Sequence, residues 1–556
     1  MAKRLCILFF MALAAFSMLS CRLSTLATNP IYADAAVNQS AYYLDFEDGR
    51  GNFYDCRFRR LTGTTYSSYT VVAPSTESYR MLFDAVPETE RAFLYENIQK
   101  SIPFLMKIPA DTTKDYPVFL RANRYMTVPF APQLIGYCDG EGNAKAGLES
   151  ACDAILQGGS TKQQLYCAVD ARGNLIGSEK PHLVTEQGTG NGVMLTLDAS
   201  LQRLCEAAAR DTMDKGAVVV MDTATGRVRA SVSLPDYDPS HVAQSLWTQD
   251  APFVNRCISS YNVGSVFKPL IAAVALESGF DIDALYECDG SITVADHTYR
   301  CAYGHGHGAV NLEQALAQSC NCYFVQMALA LGGELLVQEM QQVGFGESTV
   351  IAGNLRTVRG SIPTVEELKN LGALASVSFG QGTLTASPIQ IAGFFNTIAN
   401  DGVYLSPTFV EGYVDEYSKT IAQSLYAPVV RRCMQPETAA TLRRMLTNVV
   451  ENGLGQGAKP KHGSAGGKTG TAQTGRYTES GEEIMDAWFA GFYPAEQPEY
   501  TIVVLLDSGT NDSDDACAVF ARVADALAYF TQANLTSVLP HDIAEKQTLE
   551  TEAPHT

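Results

Sequence analysis

Residues 252–269 read PFVNRCISSYNVGSVFKP, and the last six positions, Gly264 to Pro269, decide how the rest of the chain is read. If a helix begins near Ser265, residues three apart share a face, so the Ser265 hydroxyl and the Lys268 amine can approach each other. Pro269 fits a first helical turn, where its missing N–H costs little, and Gly264 permits a sharp entry. The helix continues over Leu270 to Glu277 and stops before Gly279. A serine hydroxyl is a poor nucleophile at neutral pH and needs a base. Lysine serves when burial or a neighbouring cation lowers its pKa.

Two more short motifs follow in order: Ser319-Cys320-Asn321, and Lys468-Thr469-Gly470 with Thr471 after it. Ser319 and Asn321 alternate around Cys320 between two helical stretches, where a turn can aim both polar side chains into a cleft. In GKTGT (467–471) the glycines permit backbone approach to a ligand, and the hydroxyls can donate to its carboxylate. Lys468 either supplies a cation beside Lys268 or binds a carboxylate itself. Any one motif alone reads equally well as a turn, a cap or a solvated lysine. All three in this order do not.

Composition sets the frame. At 556 residues, 46% hydrophobic and 18% charged, the chain fills two or three folded units, and intrinsic disorder is excluded for most of it. A net charge of -20, from 40 basic and 60 acidic residues, repels polyanions, so no nucleic-acid partner is expected. Lys3 and Arg4 precede an apolar run from Leu5 to Cys21, closed by Arg22. A retained anchor with its positive end inside, a signal cut after Thr25-Leu26-Ala27, and lipid attachment at Cys21 are three fates for this run, and the retained anchor is the favoured one. The fourteen cysteines are dispersed, which points to buried small hydrophobes. The exception is Cys288 with Cys301, which flank the short hairpin SITVADHTYR and can be brought together as a bridge. No Cys/His group has zinc spacing: Cys320 and Cys322 are only two apart, and His305 and His307 lie in a Gly-rich loop. Neither a metal nor a cofactor is expected.

GAVVVMD (216–222) and RVRASVSL (227–234) read as strands joined through Thr225-Gly226, and AWFAGFY with YTIVVLLD as a second pair. VMLTLD (193–198) reads as a strand and LQRLCEAAAR as a helix after it. Residues 1–27 are the anchor or signal segment, 28–187 a non-catalytic module, 188–535 a mixed α and β catalytic domain, and 536–556 a mobile acidic tail.

At the three motifs the chain resembles the transpeptidase domain of penicillin-binding proteins, in which SxxK, SxN and KTG line one cleft. The separations look like that family: 54 residues from Ser265 to Ser319 and 149 from Ser319 to Lys468. So do HGAVNLEQALAQSCNCYF (307–324), SFGQGTLTASPIQIA (378–392) and DAWFAGFYP (486–494). The similarity covers about residues 192 to 530. Arg50-Gly51 with Asp55, LIGY (134–137) and Gly147-Leu148-Glu149 resemble the pedestal motifs of the class B, monofunctional branch, with Cys56 standing where an arginine usually follows the aspartate. The implied fold is α+β multidomain: a serine β-lactamase-like transpeptidase domain with a central antiparallel sheet flanked by helices, plus an N-terminal pedestal domain.

The resemblance implies a peptidoglycan D,D-transpeptidase. Ser265 attacks the D-Ala-D-Ala bond of a stem peptide, Lys268 takes its proton, and Ser319 with Lys468 passes a proton to the departing amine. Asn321 holds the donor amide, the N–H groups of Ser265 and Thr471 form the oxyanion hole beside Gly470, and Thr469 and Thr471 face the terminal carboxylate. It further implies stem peptides as substrate, β-lactams as covalent inhibitors, a membrane glycan polymerase as partner, and a single-pass location with the catalytic domain outside the cytoplasm. A D,D-carboxypeptidase shares the acyl-enzyme and is the alternative reading; a β-lactamase, and a non-catalytic sensor or scaffold, stand behind it.

Overall fold

The run GAVVVMD is apolar at all but its last position because the strand it forms is covered on both faces. In the computed structural model, which describes residues 2–29, 41–100, 102–109, 117–170, 174–176, 180–302, 304–509 and 513–549, that strand is β1 (Gly216–Asp222). It joins β2 (Val228–Leu234), β3 (Gly466–Tyr477), β4 (Glu483–Tyr493) and β5 (Tyr500–Gly509) in one antiparallel sheet of order β2-β1-β5-β4-β3. Side chains alternate across it. Ala217, Val219, Met221, Trp488, Val503 and Leu505 enter one core, and Val218, Val220, Phe489, Ile502, Val504 and Leu506 another.

Helices close both cores. α1 (Ala199–Arg210) and α6 (Ser513–Leu549) contribute Leu201, Cys205, Phe520 and Val523 to the second. α2 (Lys268–Glu277), α3 (Asn321–Leu331), α4 (Pro388–Ala399) and α5 (Pro436–Asn452) contribute to the first. α2 and α4 are apolar on nearly every face, as helices buried in the interior must be.

The chain divides into two compact units, residues 1–50, 63–124 and 157–189 in one and 51–62, 125–156 and 190–556 in the other. The sequence reading assigned 28–187 to one module, yet segments 51–62 and 125–156 group with the catalytic unit. The resemblance to pedestal motifs falls largely on these segments. The buried Asp55 carboxylate accepts from the backbone N–H groups of Arg57 (2.9 Å) and Arg59 (2.8 Å) and from Arg59 Nε (2.7 Å). Arg59 also donates to Asp198 at 2.9 Å, and Asp198 caps α1 through the Ser200 N–H. The guanidinium missing at Cys56 is thus supplied three residues later. Glu149 is buried and accepts from Tyr125 Oη at 3.1 Å.

The smaller unit has two three-stranded antiparallel sheets, with Lys162–Ala168 central in one and Thr65–Val72 central in the other. Its N-terminal helix, Ala2–Ala27, includes a 24-residue stretch of mean hydropathy 2.0, long and apolar enough to cross a membrane. At the other end, α6 stays helical through Leu549 where a mobile tail was expected from 536; extending an existing helix fixes one residue per hydrogen bond, whereas nucleation is the costly step. The rest of that expected tail, 550–556, lies outside the described residues.

Arg256 ties the segment before Ser265 to the sheet. It is 1% exposed, donates from Nε to Asp507 of β5 at 2.8 Å, and its remaining N–H groups reach the carbonyls of Asp250 and Ala251. Arg256→Ala removes the nearer of two cations at the buried Asp507 carboxylate, Lys215 Nζ standing at 3.7 Å, and is expected to destabilise the larger unit by about 3 kcal/mol, read from denaturant unfolding. A change below about 1 kcal/mol would contradict this role.

Candidate active site

Ser265 lies in a short 3-10 turn, Gly264–Phe267, that runs straight into α2, with Pro269 in the first helical turn. The sequence reading began the α-helix at Ser265; the tighter turn comes first because Gly264 enters it with φ +64°. The turn is clamped by backbone on two sides. Gly264 N–H donates to the Gly380 carbonyl at 2.9 Å, and a Cβ on Gly264 would lie 2.7 Å from the Thr471 carbonyl. A Cβ on Gly470 would in turn lie 2.9 Å from Val266 Cγ1 and 3.1 Å from Val266 N. The two glycines therefore let the edge strand β3 press directly against the turn that carries Ser265.

This contact brings the three motifs together. Ser265, Ser319, Asn321, Thr469, Gly470 and Thr471 all line one cleft of about 620 Å³. Tyr299 and Phe379 form an aromatic wall of it, ring centroids 5.9 Å apart. Nothing in the motif pattern pointed to that wall, since Tyr299 belongs to a hairpin strand and Phe379 to a loop after a helix.

Beneath the cleft lie both motif lysines, each 0% exposed. Lys268 Nζ donates to the Ser319 carbonyl (2.7 Å), to Asn321 Oδ1 (2.7 Å) and to Ser319 Oγ (2.9 Å). The stretch 312–331 breaks into two helices at this point, and Ser319 adopts a left-handed φ of +53°. Turning there aims both the carbonyl and the hydroxyl of one residue at the same nitrogen. Sequence reasoning paired Ser319 with Lys468; in the structure its partner is Lys268. Lys468, on β3, donates to the carbonyl and hydroxyl of Thr469, both at 3.1 Å.

Burial pushes the Lys268 amine down to about 7. Burial, reinforced by the nearby Lys268 charge, also holds Lys468 well below the ordinary lysine range. A neutral Lys268 has two protons and one lone pair. The protons satisfy the two pure acceptors, the Ser319 carbonyl and Asn321 Oδ1, and the lone pair remains for a hydroxyl proton. The arrangement can therefore exchange a proton between the amine and the Ser319 hydroxyl.

Behind the Ser319 turn is a cluster the sequence reading did not foresee. The Sγ atoms of Cys288 and Cys301 stand 3.8 Å apart as free thiols, so the expected hairpin brings them close without a bridge. Cys320 Sγ is 3.4 Å from Cys288 and 3.8 Å from Cys301, and Cys322 Sγ is 3.5 Å from Cys301. His307 Nδ1 lies 3.4 Å from Cys288 Sγ. The expectation that no Cys/His group assembles rested on spacing along the chain, whereas these donors come from a strand end, a hairpin exit, a glycine loop and a helix cap.

Residues 216–525 match the family model described as the penicillin binding protein transpeptidase domain. The chain is 28% identical over 395 residues to stage V sporulation protein D of Bacillus subtilis, covering 68% of this chain and 59% of that one. It is 28% identical over 408 residues to peptidoglycan D,D-transpeptidase MrdA of Acinetobacter baumannii, covering 67% and 58% respectively. It thus spans less than two thirds of these relatives' length. Among solved structures, one titled as structural coordination of polymerization and crosslinking by a peptidoglycan synthase complex superposes with a TM-score of 0.68 at 23% identity, covering 94% of this chain and 97% of that one.

Only the neutral amine accepts a proton, so covalent modification of Ser265 by an activated lactam should accelerate as pH rises through about 7 and level off above it, in a stopped-flow pH profile. A flat profile, or one that falls with pH, would count against Lys268 as the base. Gly470→Val, which drives a side chain into Val266, should slow the same reaction by about 100-fold or more while circular dichroism stays unchanged.

Proposed function

The chain belongs to the penicillin-binding protein transpeptidase family, and on that footing we propose that it is a class B peptidoglycan D,D-transpeptidase working through an acyl-enzyme on Ser265. The observation that carries the reading is the buried Lys268 amine, bonded to Ser319 and Asn321 directly under the cleft that Ser265 lines.

In this mechanism Lys268 takes the Ser265 proton as Oγ attacks the penultimate D-Ala carbonyl of a stem peptide. The resulting ammonium hands a proton through the Ser319 hydroxyl to the departing amine of the terminal D-Ala. The hydrogen bond of 2.9 Å between Lys268 and Ser319 supports the second leg of this path. The backbone N–H groups of Ser265 and Thr471 receive the developing oxyanion, where loss of a donor costs about 3 kcal/mol. Thr469 and Thr471 bind the terminal carboxylate, and Asn321 holds the donor amide. Lys468, whose charge burial disfavours, serves the electrostatics of the floor and the alignment of Thr469. An amine from a second stem then takes the acyl group. A β-lactam acylates the same serine because its strained ring offers a carbonyl and a carboxylate in similar positions.

The N-terminal helix would hold this domain on the outer side of the cytoplasmic membrane, where stem peptides are found and where a glycan polymerase would supply new strands. Labelling with a fluorescent penicillin tests the nucleophile: Ser265→Ala should abolish the covalent band, and an undiminished band would refute the assignment. Product analysis on a crosslinkable glycan tests the reaction. Joined stems support transfer, whereas release of D-Ala alone would assign a carboxypeptidase.

A further inference from the structure

The cysteine cluster gathers four ligand atoms at one point. Three sulfurs, from Cys288, Cys301 and Cys320, and an imidazole nitrogen of His307 lie within 4.8 Å of one another. Zinc–sulfur bonds of about 2.3 Å set the sulfurs of a tetrahedral site about 3.8 Å apart. The sulfur pairs here stand at 3.8, 3.8 and 3.4 Å. These separations exceed a disulfide bond of about 2.05 Å by far too much for any pair to be bridged as it stands. The three thiols are between 0% and 3% exposed, and their near partners include one another, the His307 ring, the Cys322 sulfur and the Tyr323 N–H. A cation satisfies all four donors at once, which no single bridge does.

The frame around the donors is fixed by backbone. Cys288 pairs with Gly308 in a two-stranded ladder, placing His307 beside it, and Cys301 N–H donates to the Gly290 carbonyl at 2.9 Å. A Cβ on Gly306 would sit 2.3 Å from the Cys288 carbonyl, so the loop carrying His307 lies directly on the strand carrying Cys288.

We propose that Cys288, Cys301, Cys320 and His307 bind one zinc ion as a closed, four-ligand structural site against the active-site cleft. Four protein ligands of this type mark a structural rather than a catalytic zinc. Cys322, whose sulfur neighbours Cys301, stays outside the set. Cys320 is the residue between Ser319 and Asn321, and its sulfur also accepts from the Tyr323 N–H at the start of α3. The metal therefore pins the turn that presents Ser319 and Asn321 to Lys268. The hairpin that ends at Cys301 is tied to the same turn, because Asn321 Nδ2 donates to the Arg300 carbonyl at 2.9 Å. The ligands are positioning residues, acting through Ser319 and Asn321. Metal binding itself stands without the acyltransferase reading; only its effect on acylation rests on that reading.

The test uses the full-length chain purified without chelator. Elemental analysis should find about one zinc per chain, retained in Cys322→Ser and lost in Cys301→Ser and His307→Ala. Replacing zinc by cobalt(II) should give the sulfur-to-cobalt charge-transfer absorption of a thiolate-rich tetrahedral site, lost in His307→Ala. That half-buried variant decides the matter should Cys301→Ser fold poorly. Stripping the zinc should slow penicillin labelling, and adding Zn²⁺ back should restore it. Ser265→Ala should lose labelling and keep its zinc, which separates failure of the site from failure of the catalytic reading. Zinc absent from the wild-type chain, zinc undiminished in Cys301→Ser and His307→Ala, or a Cys288–Cys301 or Cys301–Cys320 disulfide in a metal-free chain would each overturn the proposal.

Discussion

A primary amine with no access to water is the constraint around which the catalytic unit is arranged. Lys268 can be buried only because three oxygens from two residues surround its nitrogen, since an unpaired ammonium in such a place is prohibitively costly. Meeting that need explains the break between the helices at Gln318 to Cys320 and the left-handed Ser319. That backbone conformation costs on the order of 1 kcal/mol for a side chain with a Cβ. It persists because the turn gives the amine both a carbonyl and a hydroxyl from one residue. A second buried amine, Lys468, lies close enough for the first to disfavour its charge, so the pair does not readily carry two protons.

Precision in this arrangement comes from main chain more than from side chains. The 3-10 turn of Ser265 is gripped between β3 and the Gly380 loop, and the contacts at Gly264 and Gly470 leave no room for a methyl group. The five-stranded sheet behind β3 is packed from both sides, so its edge is held stiffly. Arg256 adds an ionic tether from the same segment to β5. Ser265 thus sits on an element that inherits the rigidity of the core.

Periodicity and local turn chemistry made four strands of the sheet, α2 and the order of the three motifs readable from sequence, while the fifth strand, β3, was read only as a Gly-rich stretch. GAVVVMD reads as a strand joined to RVRASVSL through a Thr225-Gly226 turn, and SITVADHTYR reads as a short hairpin, and both form. What depends on tertiary encounter was not readable. The partner of Ser319 is Lys268 rather than Lys468, which follows from how deeply α2 is sunk and not from any spacing. The grouping of 51–62 and 125–156 with the catalytic unit arises from ties such as Asp55 to Ala199, far apart in the chain. The Cys/His cluster escaped for the same reason: its donors, at 288, 301, 307 and 320, belong to four different local structures.

β3 is the outermost strand of its sheet, and an outermost strand offers unpaired amides to any extended chain that drifts past. Near Thr471 that openness faces the cleft. Further along it is a hazard, since two molecules could zip together edge to edge. The ladder with β4 slips between Gln473 and Arg476, and the strand ends on exposed Arg476 and Tyr477. A bulge and a charge at that end spoil the flat register that self-association requires, so the strand stays hospitable to a ligand and unattractive to its own kind.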